Sequence, residues 1–212
     1  MPKSAYSLIL SDEVVRAVDN MAARMGFSRS ALINYALAEY TGLSTAEQQQ
    51  RGIVQQVQQS MEGNGLRTEV SARGALTIRT ALRYRYNPAV SYVVQFTPQE
   101  EDMGEVRVAL RTQSEDLLQE LENFFALWDE LEQTSLPVPP PAAGQRPARQ
   151  RYVRRLRRMS ESDETANAIS GYVSLLDDCL KLFFDADGHD PDAQVAKVYR
   201  SRLPLLGSAQ DL

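Results

Sequence analysis

Hydrophobic and polar residues alternate at the start of the chain, and the spacing then becomes helical. In the run SAYSLIL, residues 4–10, every second side chain is large and apolar. A period of two that ends at the polar pair Ser11-Asp12 predicts a short strand. Its inward side carries Tyr6, Leu8 and Leu10, so the residues between them face outward.

Two helices are predicted after this strand. Ser11 is a favoured N-cap residue, and Gly26 is a favoured helix stop. Ser28 can cap a second helix, which ends near Gly42. Each helix has apolar residues three or four positions apart, which is typical of one buried face. These residues are Val14, Val18, Met21 and Met25 in the first helix, and Leu32, Ile33, Ala36, Leu37 and Tyr40 in the second.

Farther along, the pattern predicts a third helix and then a three-stranded antiparallel meander. The third helix follows Ser44, is rich in glutamine and ends at the Glu-Gly-Asn-Gly sequence of residues 62–65. Three alternating runs come next, and turn residues separate them. The runs are Leu76–Tyr86, Val90–Phe96 and Glu105–Thr112. Ser114 then begins an amphipathic helix that contains Trp128.

Proline and alanine dominate residues 136–150, which are predicted to be a stiff linker. A basic segment follows the linker, and a helix is expected from about Ser162 to Phe184. The predicted organisation is a first domain of residues 1–44, a helical connector of residues 45–65, and a meander with its helix in residues 66–134. The linker (135–150) and a C-terminal region of residues 151–212 complete the chain.

The N-terminal text YSLILSDEVVRAVDNMAARMGFSRSALINYAL resembles the ribbon-helix-helix family of Arc-, MetJ- and CopG-type repressors. The order of the elements, their lengths and the turn residues agree over about residues 3–43. The predicted fold class is therefore α+β, with an N-terminal ribbon-helix-helix unit that forms an intertwined dimer. The three-stranded meander and its helices would follow this unit.

The packing of the predicted elements also favours a dimer. One seven-residue strand and two short helices cannot bury all three of their apolar faces. Pairing the strand with the same strand of a second chain would satisfy its edge hydrogen bonds and close a shared core. A two-stranded ribbon of this kind fits the major groove of B-DNA. We therefore expect a homodimer that binds double-stranded DNA and can form higher oligomers on it.

The resemblance implies two groups of DNA-contacting residues. The outward face of the ribbon would read bases through Lys3, Ala5, Ser7 and Ile9. The start of the second helix would hold phosphate through Ser28, Arg29 and Ser30, because free backbone N–H groups and the positive helix end favour anions. Without the resemblance, Ser28 would be only a helix cap and Arg29 a solvated charge.

Charge is strongly segregated, although the formal net charge is only −5. Residues 146–158 contain seven arginines and no acid, whereas residues 161–192 contain nine acids and one lysine. The basic run could contact DNA outside the main site, pair with the acidic helix after it, or be a solvated linker. Its candidate DNA contacts are Arg149, Arg151, Arg154, Arg155, Arg157 and Arg158.

A second basic group is expected on the meander. It is either the solvated outer face of the sheet or a site for an anionic ligand or a second stretch of phosphate backbone. Its members are Arg79, Arg83, Arg85, Arg107 and Arg111.

Other classes of function lack their usual residues. The chain has one cysteine and no predicted leader or membrane-spanning run, so we expect a cytoplasmic protein. His189 is the only histidine, and the acidic sequence around it lacks the glutamate that completes a calcium loop. We therefore expect no metal, no cofactor and no catalytic activity.

The sequence as a whole favours a site-specific transcriptional repressor of prokaryotic type. Two other functions stay open: a DNA-binding antitoxin, and an accessory factor in plasmid partition or mobilisation. An antitoxin would bind its toxin through the C-terminal region, so a protein partner of that region also stays open. Antitoxin tails are usually short and disordered, whereas this region has alternating strands and an aromatic helix.

Overall fold

The structure is a computed structural model. It describes residues 7–42, 46–72, 74–97, 102–136, 150–157, 159, 161–185 and 190–205. The chain forms two compact units, residues 1–52 and residues 53–212. Within the described residues there are six helices: α1 (Asp12–Met25), α2 (Arg29–Tyr40), α3 (Ala46–Gly63), α4 (Glu115–Ser135), α5 (Ser162–Asp185) and α6 (Pro191–Arg202). The same residues contain five strands: β1 (Arg67–Val70), β2 (Leu76–Ala81), β3 (Ala89–Phe96), β4 (Asp102–Leu110) and β5 (Gln150–Arg157).

Local signals set the ends of α1 and α2. The Ser11 side chain accepts a hydrogen bond from the Val14 backbone N–H, and Gly26 ends α1 in the left-handed conformation at φ 69°. The Ser28 hydroxyl oxygen accepts from the Ala31 N–H at 3.2 Å and so caps α2. Residues 26–28 alone separate the two helices, so the start of α2 follows the end of α1 closely.

The first unit buries very little of its apolar surface. Among its described residues, only Ala22 and Leu32 are buried. The larger apolar side chains of α1 and α2 are exposed to a degree that is unusual for a folded unit. They are Val14, Met21, Met25, Leu37 and Tyr40.

The second unit is built on one antiparallel sheet. Its strands follow the chain order β1-β2-β3-β4-β5, and each pairs with the next. Central pairs place apolar residues opposite one another, as in Tyr92 opposite Val108 and Val94 opposite Val106. β5 lies at one edge and pairs with β4, so that Tyr152 is opposite Val108.

Helices cover one face of this sheet and form a large core with it. Four apolar residues of α3 are buried in it: Ile53, Val54, Val57 and Met61. Trp128 of α4 is at the centre, where it stacks on Phe124 and meets the edges of Tyr172 and Tyr199. Aromatic pairs of this kind add to the stabilisation from burial alone.

A buried ion pair joins α4 to β5 inside this core. Glu132 and Arg154 are 0% and 1% exposed, and Arg154 Nη1 lies 2.5 Å from Glu132 Oε1. The Tyr152 hydroxyl also donates to Glu132, and the Arg154 guanidinium lies over the Tyr172 ring. Burial raises the pKa of Glu132, although the positive charge of Arg154 opposes the shift.

The architecture predicted from the sequence is wrong in both units. Residues 7–10 do not form a strand, and residues 4–6 lie outside the described part of the chain, so helices precede all the described strands. The sheet has five strands rather than three. β1 was missed because its four residues, RTEV, are largely polar and exposed. β5 was missed because Arg154 occupies an inward position, which hides the alternation from Tyr152 to Leu156.

We predict that Arg154→Met lowers the free energy of unfolding by about 3–5 kcal/mol, because it leaves Glu132 buried without its counter-charge. The double variant Glu132→Leu with Arg154→Met should recover most of that loss. Arg202 is the matched control, because its ion pair with Asp178 is solvent-exposed. Arg202→Met should cost under about 1 kcal/mol. Urea unfolding of the four proteins measures these differences, and equal losses for the two single variants would contradict the prediction.

Candidate nucleic-acid interface

Residues 7–10, the described part of the segment before α1, are exposed and have no regular secondary structure. Ile9 is completely exposed, whereas Leu8 and Leu10 are 60% and 39% exposed. Ser7 is exposed as well. Of the four predicted base-reading residues, Lys3 and Ala5 lie outside the described residues.

The three predicted phosphate-binding residues lie together at the start of α2. Ser28 caps the helix, and Arg29 and Ser30 follow it in the first turn with exposed side chains. The first backbone N–H groups of a helix have no partner within the helix, and the helix dipole is positive at this end. The Ser28 hydroxyl oxygen accepts from the Ala31 N–H, which caps the helix and leaves the neighbouring N–H groups of the first turn available to an anion. The arrangement can accept an anion from solvent.

Arg29 already has an anionic partner within the same unit. Its Nε and Nη2 donate to the two carboxylate oxygens of Asp19, each at 2.6 Å. The hydrogen bonds from Arg29 lower the pKa of Asp19, and the same contact raises the pKa of Arg29. The paired geometry holds the guanidinium beside the start of α2 and offsets its charge. A phosphate that binds Arg29 must therefore compete with Asp19.

Arg51 supplies another cation near the turn between α1 and α2. Its guanidinium carbon lies 4.4 Å from the centre of the Phe27 ring, and Phe27 directly precedes Ser28. Phe27 also packs against Tyr35 at 6.0 Å between ring centres. Neither Asp19 nor Arg51 was predicted from the sequence to belong to this region. The one sequence signal for Asp19 is that it is an acidic residue ten positions before Arg29. No spacing rule connects Arg51 to Phe27.

The basic run near residue 150 forms a strand rather than a linker. Arg154 is buried in its ion pair, Arg155 is exposed and Arg157 is half-buried. Arg149 and Arg158 lie outside the described residues, and only the backbone of Arg151 is described. Successive side chains of a strand point to opposite faces of the sheet. Arg155 and Arg157 therefore lie on the face away from the core, whereas Arg154 lies on the core face. The three arginines whose side chains are described therefore do not share one surface.

The arginines of the second predicted basic group, on the meander, also lie in separate places. Arg79 and Arg107 lie in strands on the sheet face opposite the core, and each has an acidic neighbour. Arg79 lies 3.1 Å from Glu69, and Arg107 pairs with Glu105. Arg111 follows the end of β4 and is exposed. Arg83 and Arg85 lie after β2, in the exposed turn that connects it to β3.

The described residues contain no group of three or more histidine, cysteine, aspartate or glutamate side chains placed to hold a metal ion. His189 and residues 186–188 of the acidic sequence before it lie outside the described part. In that same part, no helix combines the length and the apolar character needed to cross a membrane.

Comparison of the whole chain with known proteins does not identify a family. No protein-family model, no curated protein and no solved structure matches it.

Proposed function

We propose that this protein is a site-specific DNA-binding transcriptional regulator, a repressor, and that its first unit binds the major groove as a homodimer. The proposal is supported by the ribbon-helix-helix resemblance and by two capped helices in close succession. It is also supported by the exposed anion-accepting start of α2. Occupancy of an operator by such dimers would block access of polymerase.

The exposed apolar surface of the first unit carries the proposal. Leu37 is 52% exposed, and Val14, Met21 and Met25 are each more than 40% exposed. Exposed apolar surface of this kind in a small unit costs free energy unless another molecule covers it. We propose that a second copy covers it, because an isologous interface can bury the same residues from both chains.

In this dimer, residues 7–10 of the two copies would pair as a two-stranded ribbon. The described residues of the first unit include no strand that could pair with this segment, and in a single copy residues 7–10 have no regular secondary structure. The pairing would place Ser7 and Ile9 on one side of the ribbon and Leu8 on the other. Ser7 could hydrogen-bond to a base edge, and Ile9 could contact thymine methyl groups.

Arg29 would act on the phosphate backbone by exchanging partners. In the free protein its charge is offset by Asp19, and on DNA the guanidinium could transfer to a phosphate that the start of α2 also attracts. Because a phosphate is a bidentate acceptor like a carboxylate, the geometry of the pair suits the exchange. Asp19 would then weaken binding to random DNA, where the phosphates are not placed to replace it.

The packed second unit favours a regulator over an antitoxin. Its core joins α3, α4, α5 and α6 with the sheet, and it includes Trp128 and Phe124. A tail that wraps a toxin would instead gain its apolar contacts on binding. We therefore propose no toxin partner for this unit.

We predict that the wild-type chain is a dimer and that Leu8→Glu converts it to a monomer with a loss of DNA binding, because a charge cannot be buried at the dimer core. Leu205→Glu is the control, since Leu205 is an exposed leucine of the second unit. It should leave the dimer intact. Sedimentation equilibrium of the full chain measures the mass of each protein. A wild-type chain that sediments as a folded monomer at micromolar concentration would rule out the proposed dimer.

We predict that Arg29→Ala and Asp19→Asn change DNA binding in opposite directions. Loss of Arg29 should weaken binding to operator and random DNA by similar factors and reduce the salt slope by about one unit, as for one phosphate contact. Asp19→Asn frees the guanidinium and should strengthen binding to random DNA. Titrations of labelled duplexes at several salt concentrations measure both effects.

The double variant is the control for this exchange. If Asp19 acts through Arg29, Asp19→Asn should have much less effect in an Arg29→Ala background. A change in the preferred DNA sequence on loss of Arg29 would show that this residue reads bases, which contradicts its proposed role.

A further inference from the structure

The turn between β2 and β3 presents a tyrosine in an unfavourable backbone conformation. Tyr86 has φ 65° and is completely exposed, and Asn87 has φ 43°. Asparagine tolerates the left-handed region, but a bulky side chain such as that of tyrosine rarely adopts it. Glycine would fit this position without the steric penalty.

The base of the turn is firmly attached to the second unit. Leu82 is buried, and its backbone N–H donates to the Pro88 carbonyl at 3.0 Å. The Tyr84 ring meets the edge of Phe184, with 5.7 Å between the ring centres. The Asn87 N–H donates to the Tyr84 carbonyl at 2.9 Å. The tip of the turn therefore projects from a fixed base.

Two arginines flank the exposed ring. The Arg83 side chain is 82% exposed and lies 3.5 Å from Asp185, a contact of little energy at this exposure. Arg85 is also exposed. The segment RYRYN thus presents two guanidinium groups and one aromatic ring to solvent, and none of its residues is acidic.

Folding alone does not favour this composition. The backbone conformation is strained for tyrosine, and the exposed ring gains no burial from the chain. Guanidinium groups bind phosphates, and an aromatic ring packs on bases and sugars, so the three side chains together suit a nucleic acid. An acidic protein segment would use the arginines but would make less use of the ring.

We propose that residues 83–87, the arginine-tyrosine turn, form a second contact with duplex DNA. Arg83 and Arg85 bind phosphates, and the Tyr86 ring packs against sugars and base edges in a groove. The fixed base of the turn presents the ring at little cost in conformational entropy. The inference rests on the proposed function for its partner, DNA, but it involves residues of the other unit.

The main test compares Tyr86→Gly and Arg85→Ala with Arg200→Ala in the full-length chain. Arg200 is exposed on α6, so its loss changes the net charge as the loss of Arg85 does. The probe is a mixed-sequence duplex of several helical turns, about 40 base pairs. Its affinity is measured by fluorescence anisotropy over a range of salt concentrations, and thermal unfolding is measured on the same samples.

We expect Tyr86→Gly to weaken binding about tenfold, as for loss of one aromatic contact, while the melting temperature is unchanged or rises. Arg85→Ala should lower the salt slope by about one unit, and Arg200→Ala should leave it unchanged. A loss of DNA affinity without a loss of thermal stability in Tyr86→Gly distinguishes a DNA contact from a structural role. A fall of several degrees in the melting temperature of Tyr86→Gly would overturn the proposal.

A fluorescent variant gives an independent measurement. Trp128 is the only tryptophan and is fully buried, so Tyr86→Trp adds one exposed indole to a shielded background. Addition of the duplex should quench this indole and protect it from acrylamide. Unchanged emission and acrylamide quenching at saturating DNA would overturn the proposal.

The failures of the two proposals are distinguishable. If the wild-type chain binds DNA and Arg29→Ala weakens it, but Tyr86→Gly and Arg85→Ala do not, only the second contact is wrong. If the wild-type chain binds no duplex, the proposed function and the second contact both fail. If these turn variants retain DNA affinity but lose binding to a glutamate-rich peptide, the turn binds protein instead, and the proposal is overturned.

Discussion

The need to remove apolar side chains from water shapes this molecule, and its two units meet that need differently. The second unit covers one face of its sheet with helices and buries Trp128, Phe124 and their neighbours within one chain. The first unit buries only Ala22 and Leu32 among its described residues. One unit therefore has a core of its own, whereas the other has the surface of an incomplete core. This difference is the strongest physical reason to propose a dimer for the first unit.

Electrostatics inside the second unit explains why a basic run became an edge strand. Arg154 finds Glu132 on α4, and the tyrosine hydroxyls around the pair supply further polar contacts. A buried charge without such partners would be very costly, so the pair ties the position of β5 to that of α4. The same alternation directs Arg155 and Arg157 to the opposite face.

The sequence predicted the local features of the fold better than its long-range pairing. The ends of α1 and the start of α2 follow from Ser11, Gly26 and Ser28, because caps act within one helical turn. β5 depends on β4 and on Glu132, neither of which is adjacent in the sequence. The contact between Arg29 and Asp19 also depends on how two helices pack. The left-handed conformation of Tyr86 could not be predicted, because the residue type argues against it.

The formal net charge of −5 means that a nearby DNA molecule is repelled on average. DNA binding then depends on places where cations are held at the surface. The described chain offers two such places, and they differ in how far an acidic neighbour offsets the cation. Arg29 is fixed but partly offset by Asp19, whereas Arg85 flanks an exposed ring on a fixed turn. A phosphate must displace a carboxylate at Arg29, but a contact at the turn requires no such exchange. An acidic protein with one exchangeable cation would bind random DNA weakly and would need a well-placed phosphate to bind firmly. Weak binding to random DNA together with firm binding to a matching site is what a site-specific regulator requires.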